Sequence, residues 1–115
     1  MTAAVRLFCF QGLVPAPVVA GDRLSYDSVQ LLKWPALGRD LLSCTTGATD
    51  ISEATAAASK TALALIQVEA GKTIHYEIIP ENAAVVEADE TSPTLSGQTT
   101  IQFGPGWRLS VLEAA

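Results

Sequence analysis

Charge is what this chain has least of. Of its 115 residues, 17% are charged, against roughly a quarter in an ordinary soluble domain. Seven are Lys or Arg and twelve are Asp or Glu, giving a net charge of −5. The basic residues are scattered singly from Arg6 to Arg108. Nucleic acids and anionic membranes are gripped by clustered Lys and Arg that displace counterions, so neither is expected as the main partner. Histidine is scarcer still. His75 stands alone, so no group of imidazoles is available for zinc or iron. Cys9 and Cys44 form no C-x-x-C pair and have no basic neighbours in sequence to make a reactive thiolate. The N-terminus lacks a basic leader, and Arg6, Gln11, Pro15 and Pro17 break its apolar stretch, so no export signal is expected. Without export, two buried thiols are expected in place of a disulfide. No run approaches the roughly 18 apolar residues of a membrane span, and a soluble chain made in the cytoplasm is expected. Nucleophile elbows, phosphate-binding glycine loops and dinucleotide fingerprints are missing as well, so no enzyme and no cofactor is expected.

What is present is apolar. Hydrophobic residues make up 49% of the chain, and a chain of this length is expected to fold as one domain, residues 1–115. Small domains have proportionally more surface to cover with polar groups. The shortage of charge should therefore show on the outside, where partners or identical copies would cover it.

Two-residue alternation is the main local signal, and it reads as strands. Val5, Leu7 and Cys9 point one way while Arg6, Phe8 and Phe10 point the other, placing aromatics on both sides of a pleat. Pro15 and Pro17 exclude a central strand in the next region. Short apolar pieces follow at 24–26, 29–33 and 41–44, with a turn around Trp34, Pro35 and Gly38. Residues 45–60 are open to three readings. Asp50 and Glu53 have capping-box spacing ahead of an alanine-rich stretch, which gives a short helix near 50–58. The Ser/Thr content and missing apolar stripe suit a loop or an edge strand. Ala64, Ile66 and Val68 then share one strand face, Ala70-Gly71 makes a tight turn, and Ile74, Tyr76 and Ile78 point inward on the return, with His75 and Glu77 outward. This reads as a β-hairpin. After Pro80 a polar loop runs to Gly97. A second pair of strands flanks the Gly104-Pro105-Gly106 turn, with Trp107, Leu109 and Val111 facing inward. The expected fold is all-β, a small antiparallel sandwich or barrel.

Four residues stand out as candidates for contact. Trp34 flanks a turn with no alternation behind it, which leaves packing and an interface role both open, and tryptophan is enriched at contact centres. Glu87, Asp89 and Glu90 form an acidic cluster in the polar loop. That cluster is either a solvated surface or part of a calcium ligand set, although its spacing matches no known calcium loop. Residues 1–4 and the loop 81–97 are the expected contact segments, because ends and long loops are where small β domains reach partners. On this reading, removing residues 1–4 weakens assembly and spares folding. His75 beside Glu77 reads as a surface or interface side chain in preference to a general base.

The order of the C-terminal half carries a resemblance: strand 61–69, strand 73–79, the loop ending Thr91-Ser92-Pro93-Thr94-Leu95-Ser96-Gly97, strand 99–103, the Gly104-Pro105-Gly106-Trp107 turn, and a closing strand to Glu113. This resembles the small β-sandwich structural proteins of tailed-phage virions, of the head decoration (cement) type. The resemblance implies a non-enzymatic subunit in the virion, bound to major capsid protein or other virion proteins and associated as a homo-oligomer, a trimer by preference. A tail, fibre or receptor-binding module of the same kind of particle fits as well. A reading from another class is a carbohydrate-binding module that uses Trp34 together with the loop 81–97.

Overall fold

The structure is a computed structural model that describes residues 2–15, 30–52 and 59–115. Among these residues ten strands are formed: β1 (Ala3–Phe10), β2 (Leu13–Pro15), β3 (Gln30–Leu32), β4 (Gly38–Cys44), β5 (Thr49–Ile51), β6 (Leu63–Val68), β7 (Thr73–Ile79), β8 (Thr94–Ser96), β9 (Gln98–Gln102) and β10 (Arg108–Glu113). Eight of them make two four-stranded sheets, ordered β4-β1-β6-β9 and β5-β10-β7-β8, and β2 and β3 pair separately as a ribbon. Every pairing is antiparallel.

The inward residues are those the alternation selects. Ala3, Val5, Leu7 and Cys9 of β1 are fully buried, as are Ala64 and Ile66 of β6, Ile74 of β7, and Leu109 and Val111 of β10. Together with Leu42, Cys44, Val68 and Phe103 they form one core cluster between the sheets, with Tyr76, Ile78, Leu95, Ile101 and Trp107 packed against its margin. The two thiols are free and buried. Cys9 lies across from Gly38 and Cys44 lies six residues further along the same strand, a separation of about 20 Å at strand rise. Burial, and secondarily the Asp40 carboxylate, pushes the Cys9 thiol up to about 11.

Both expected hairpins are corrected by the pairing. The turn after β6 is made as expected: Lys72 N–H donates to the Glu69 carbonyl at 3.1 Å, and Gly71 takes φ +79°. Yet β6 pairs with β1 and β9, while β7 pairs with β10 and β8. The Gly104-Pro105-Gly106 turn likewise closes, with Trp107 N–H donating to Gly104 O at 3.1 Å and Gly106 at φ +75°. Its flanks, β9 and β10, again belong to opposite sheets. Each turn is therefore an arch over the edge of the core. Gly104 is held to glycine by space: a Cβ there would stand 2.7 Å from Trp107 Nε1.

From β4 onward the chain changes sheet at five of its six connections (β4 to β5, β5 to β6, β6 to β7, β8 to β9 and β9 to β10), and only β7 to β8 stays within one sheet. This is the strand order of a jelly roll, with the position that normally closes the chain filled by the N-terminal strand. Adjacent termini make that substitution geometrically possible: Ala3 lies opposite Cys44 while Glu113 N–H donates to Thr45 O.

Three further expectations change. Asp50 lies in strand β5, opposite Val111, so no helix is capped there; residues 53–58 lie outside the described residues, as does the apolar piece at 24–26. Ala3 and Ala4 are not a free arm but the first residues of β1, paired with Cys44 and Ser43, and removing them would open the core. The polar loop ends earlier than Gly97, because Thr94–Ser96 pairs with β7 as strand β8.

Candidate protein-binding surfaces

The two sheets treat their outer faces in opposite ways. On the second sheet, the segment 80–93 joining β7 to β8 folds back over the strands. Ser110 of β10 points outward yet is fully buried, because Ala88 N–H donates to its Oγ at 2.9 Å. The hydroxyls of Ser110 and Thr49 meet at 2.6 Å, and Thr49 Oγ1 reaches the Val111 carbonyl at 3.2 Å. One orientation satisfies the whole series: Ala88 donates to Ser110, Ser110 to Thr49, and Thr49 to Val111. Further along, Ser92 Oγ donates to Glu77 Oε1 at 2.9 Å and accepts from Asp89 N–H at 3.1 Å. His75 Nδ1 stands 2.9 Å from the Ser92 carbonyl. A carbonyl only accepts, so Nδ1 carries the proton. His75 and Glu77, the outward pair on β7, thus anchor the loop.

The acidic cluster divides accordingly. Asp89 Oδ1 accepts from Thr91 N–H at 2.8 Å and Thr91 Oγ1 at 2.6 Å, and these Thr91 contacts lower its carboxyl below the ordinary value. Glu87 and Glu90 are exposed. Among the described residues no three His, Cys, Asp or Glu side chains converge as a metal site. Val85 and Val86, just ahead of Glu87, are 46% and 56% exposed, so the loop presents two aliphatic side chains next to its acids.

Among the described residues, the outer face of the first sheet is open at Arg6, Arg39 and Leu41, while Phe10 at the end of β1 and Leu65 on β6 are buried. The register sets Arg6 opposite Leu41 and Phe8 opposite Arg39, so charge and apolar surface alternate in a checkerboard. Leu41 is 65% exposed. Trp34, expected as a contact residue, adjoins this face: its ring meets Phe10 edge-on at 4.8 Å and Phe8 at 6.3 Å, and it remains 57% exposed. The Trp34–Pro35 bond is cis. Leu37 is partly exposed nearby, and Leu13 and Leu31 expose apolar surface on the β2–β3 ribbon. On β6 the apolar character continues at Leu63 and Leu65, opposite Phe10 and Phe8, and the face turns polar at the other end of β6 and β9, with Gln67 Nε2 donating to Gln98 Oε1 at 2.9 Å.

Trp34 and the acidic loop therefore lie on opposite outer faces, and the arrangement does not bring them into one sugar-binding site. Sequence reasoning missed Arg6, Phe8, Arg39 and Leu41 as a patch. The outward phase of Arg6 and Phe8 was visible, but only strand pairing shows that Leu41 and Arg39 stand beside them. No protein-family model, curated protein or solved structure matches this chain.

Proposed function

We propose that this chain is a non-enzymatic structural subunit of a phage virion, a head decoration (cement) protein that binds the major capsid protein and is made in the host cytoplasm. The observation that carries the reading is the outer face of β1 and β4, where Phe8, Leu41 and Trp34 lie exposed or half-exposed around Arg6 and Arg39. Aromatic and arginine side chains are the residues that dominate protein contacts, and a large apolar patch with a charged rim marks an interaction surface on a soluble domain. The strand order adds support, since jelly-roll sandwiches recur in viral capsids, although that is an argument from fold alone. The polar side chains grouped on the second sheet are occupied in holding the loop 80–93, which supports a structural role for them over a catalytic one.

The test is whether the protein resides on particles and what its loss does. Purified virions are expected to contain it in many copies, and heads assembled without it to release their genome at lower temperature. Its absence from purified particles would refute the proposal. Imaging of labelled protein on the particle separates the head from a tail or fibre location, the alternative within the same class.

A further inference from the structure

We infer that the exposed checkerboard on the first sheet is a docking site for a second copy of this chain, and that the part of that copy which docks is the 85–90 segment on its second sheet. This rests on the reading of the chain as an assembled structural subunit and specifies how copies join: the face of β1 and β4 is given to the neighbouring copy, and contact with the capsid falls to the rest of the assembled subunit's surface.

The argument is complementarity between two surfaces of one molecule. The first carries two exposed arginines, Arg6 and Arg39, with Phe8, Leu41 and Trp34 among them. Asp40, the neighbouring acid, lies on the other side of the pleat, opposite core residue Leu7 and close enough to raise the Cys9 thiol. It also borders the hollow lined by Arg6, Phe8, Arg39 and Leu41, so the patch carries two guanidinium groups against one carboxylate and stays net cationic. The second surface reverses the sign: Val85 and Val86 stand exposed beside Glu87 and Glu90. Aliphatic side chains can enter the apolar squares while carboxylates meet guanidinium groups, which bind them with two parallel hydrogen bonds. Like surfaces do not match, because arginine would face arginine and glutamate would face glutamate. The two patches also lie on opposite outer faces of the sandwich. The contact is therefore heterologous, each copy using one surface to hold its neighbour and the other to be held. Backbone hydrogen bonds at Ala88 and Asp89 fix the loop in advance, so little ordering entropy opposes the contact.

A heterologous contact has a signature that a symmetric pair lacks. Leu41→Asp blocks the first surface alone, and a Val85→Asp, Val86→Asp double variant blocks the second alone; all three side chains are exposed, so folding is spared, as circular dichroism will verify. In sedimentation velocity at low salt, the wild-type chain is expected to exceed the monomer mass increasingly with concentration. Each variant alone is expected to stay monomeric, and an equimolar mixture to give a species of twice the monomer mass and nothing larger, since one good surface of each kind remains. A mixture that stays monomeric, a variant that associates as the wild type does, or a wild-type chain that is monomeric throughout would overturn the inference. A monomeric chain that still attaches to particles would overturn this inference alone. A self-associating chain never found on particles would overturn only the functional reading.

Discussion

The outer faces of the two sheets are built from the same alternating strands, and they finish differently. The second sheet closes its own surface: a loop returns over β7 and β10, Ser110, Ser92 and His75 satisfy the loop's backbone, and Glu77 accepts from the Ser92 hydroxyl. The first sheet leaves Leu41 largely open beside Arg6 and Arg39, and Trp34 stays open in the adjoining turn against Phe8 and Phe10. The difference teaches where a partner is needed. A buried hydroxyl with all its hydrogen bonds made has no further demand, whereas an exposed leucine on an edge strand, such as Leu41 on β4, forgoes its burial energy until something covers it.

That contrast can be broken by substitution. The largest effect is expected within the shared core beneath both faces: Leu109→Ala should lose about 2–5 kcal/mol in urea unfolding, whereas Leu41→Ala, outward on the first sheet, should stay within about 0.5 kcal/mol. Equal losses would mean that Leu41 is not surface. Next comes Ser110→Ala, which strands the buried Ala88 N–H and should cost about 1–3 kcal/mol, with accelerated amide exchange at Ala88 as the local readout. An unchanged exchange rate would show that the loop does not depend on this hydroxyl.

Smaller effects concern titration. The Cys9 thiol is shifted upward from 9.0 to about 11 by burial and then by Asp40. In the interval between those values the unfolded chain has released a proton that the folded chain keeps, so stability falls as pH rises from about 9 to about 11. Below that interval the thiol is protonated in both states and contributes no pH dependence. Cys9→Ser should flatten the alkaline limb of a stability–pH curve. Asp89 shifts the other way through its Thr91 hydrogen bonds. Its contribution is present above the ordinary carboxyl range and disappears as pH falls through its lowered value, so the Thr91 amide should exchange faster, relative to its intrinsic rate, in acid. Asp89→Asn should show the faster exchange already at neutral pH.

Much of the fold was legible as alternation. Val5, Leu7 and Cys9, or Leu109 and Val111, declare their faces by spacing, because a strand turns successive side chains to opposite sides. Both glycine turns were legible too, since Gly71 and Gly106 occupy positive φ as a tight turn demands. The pairing was not. A turn of two residues limits how far the chain travels and says nothing about whether the next strand hydrogen-bonds to the last or arches over the core. The inward side chains of β6 and β7 pack across the two sheets, and that decided for the arch.

Similarly, Glu87, Asp89 and Glu90 were recognisable as surface residues by their polarity and Trp34 as a packing or contact residue by its turn, while their distribution over opposite faces was beyond any local reading. The sequence by itself determined that this chain is made of strands, which residues those strands bury, and that its surface would be short of charge. Only the tertiary structure decided which strands are neighbours, and hence that Arg6 and Arg39 flank Leu41 on one face while Ser110 is hidden on the other. The physical reason is range: side-chain direction follows from the bond geometry of adjacent residues, whereas strand neighbours are chosen by packing between segments far apart in the chain.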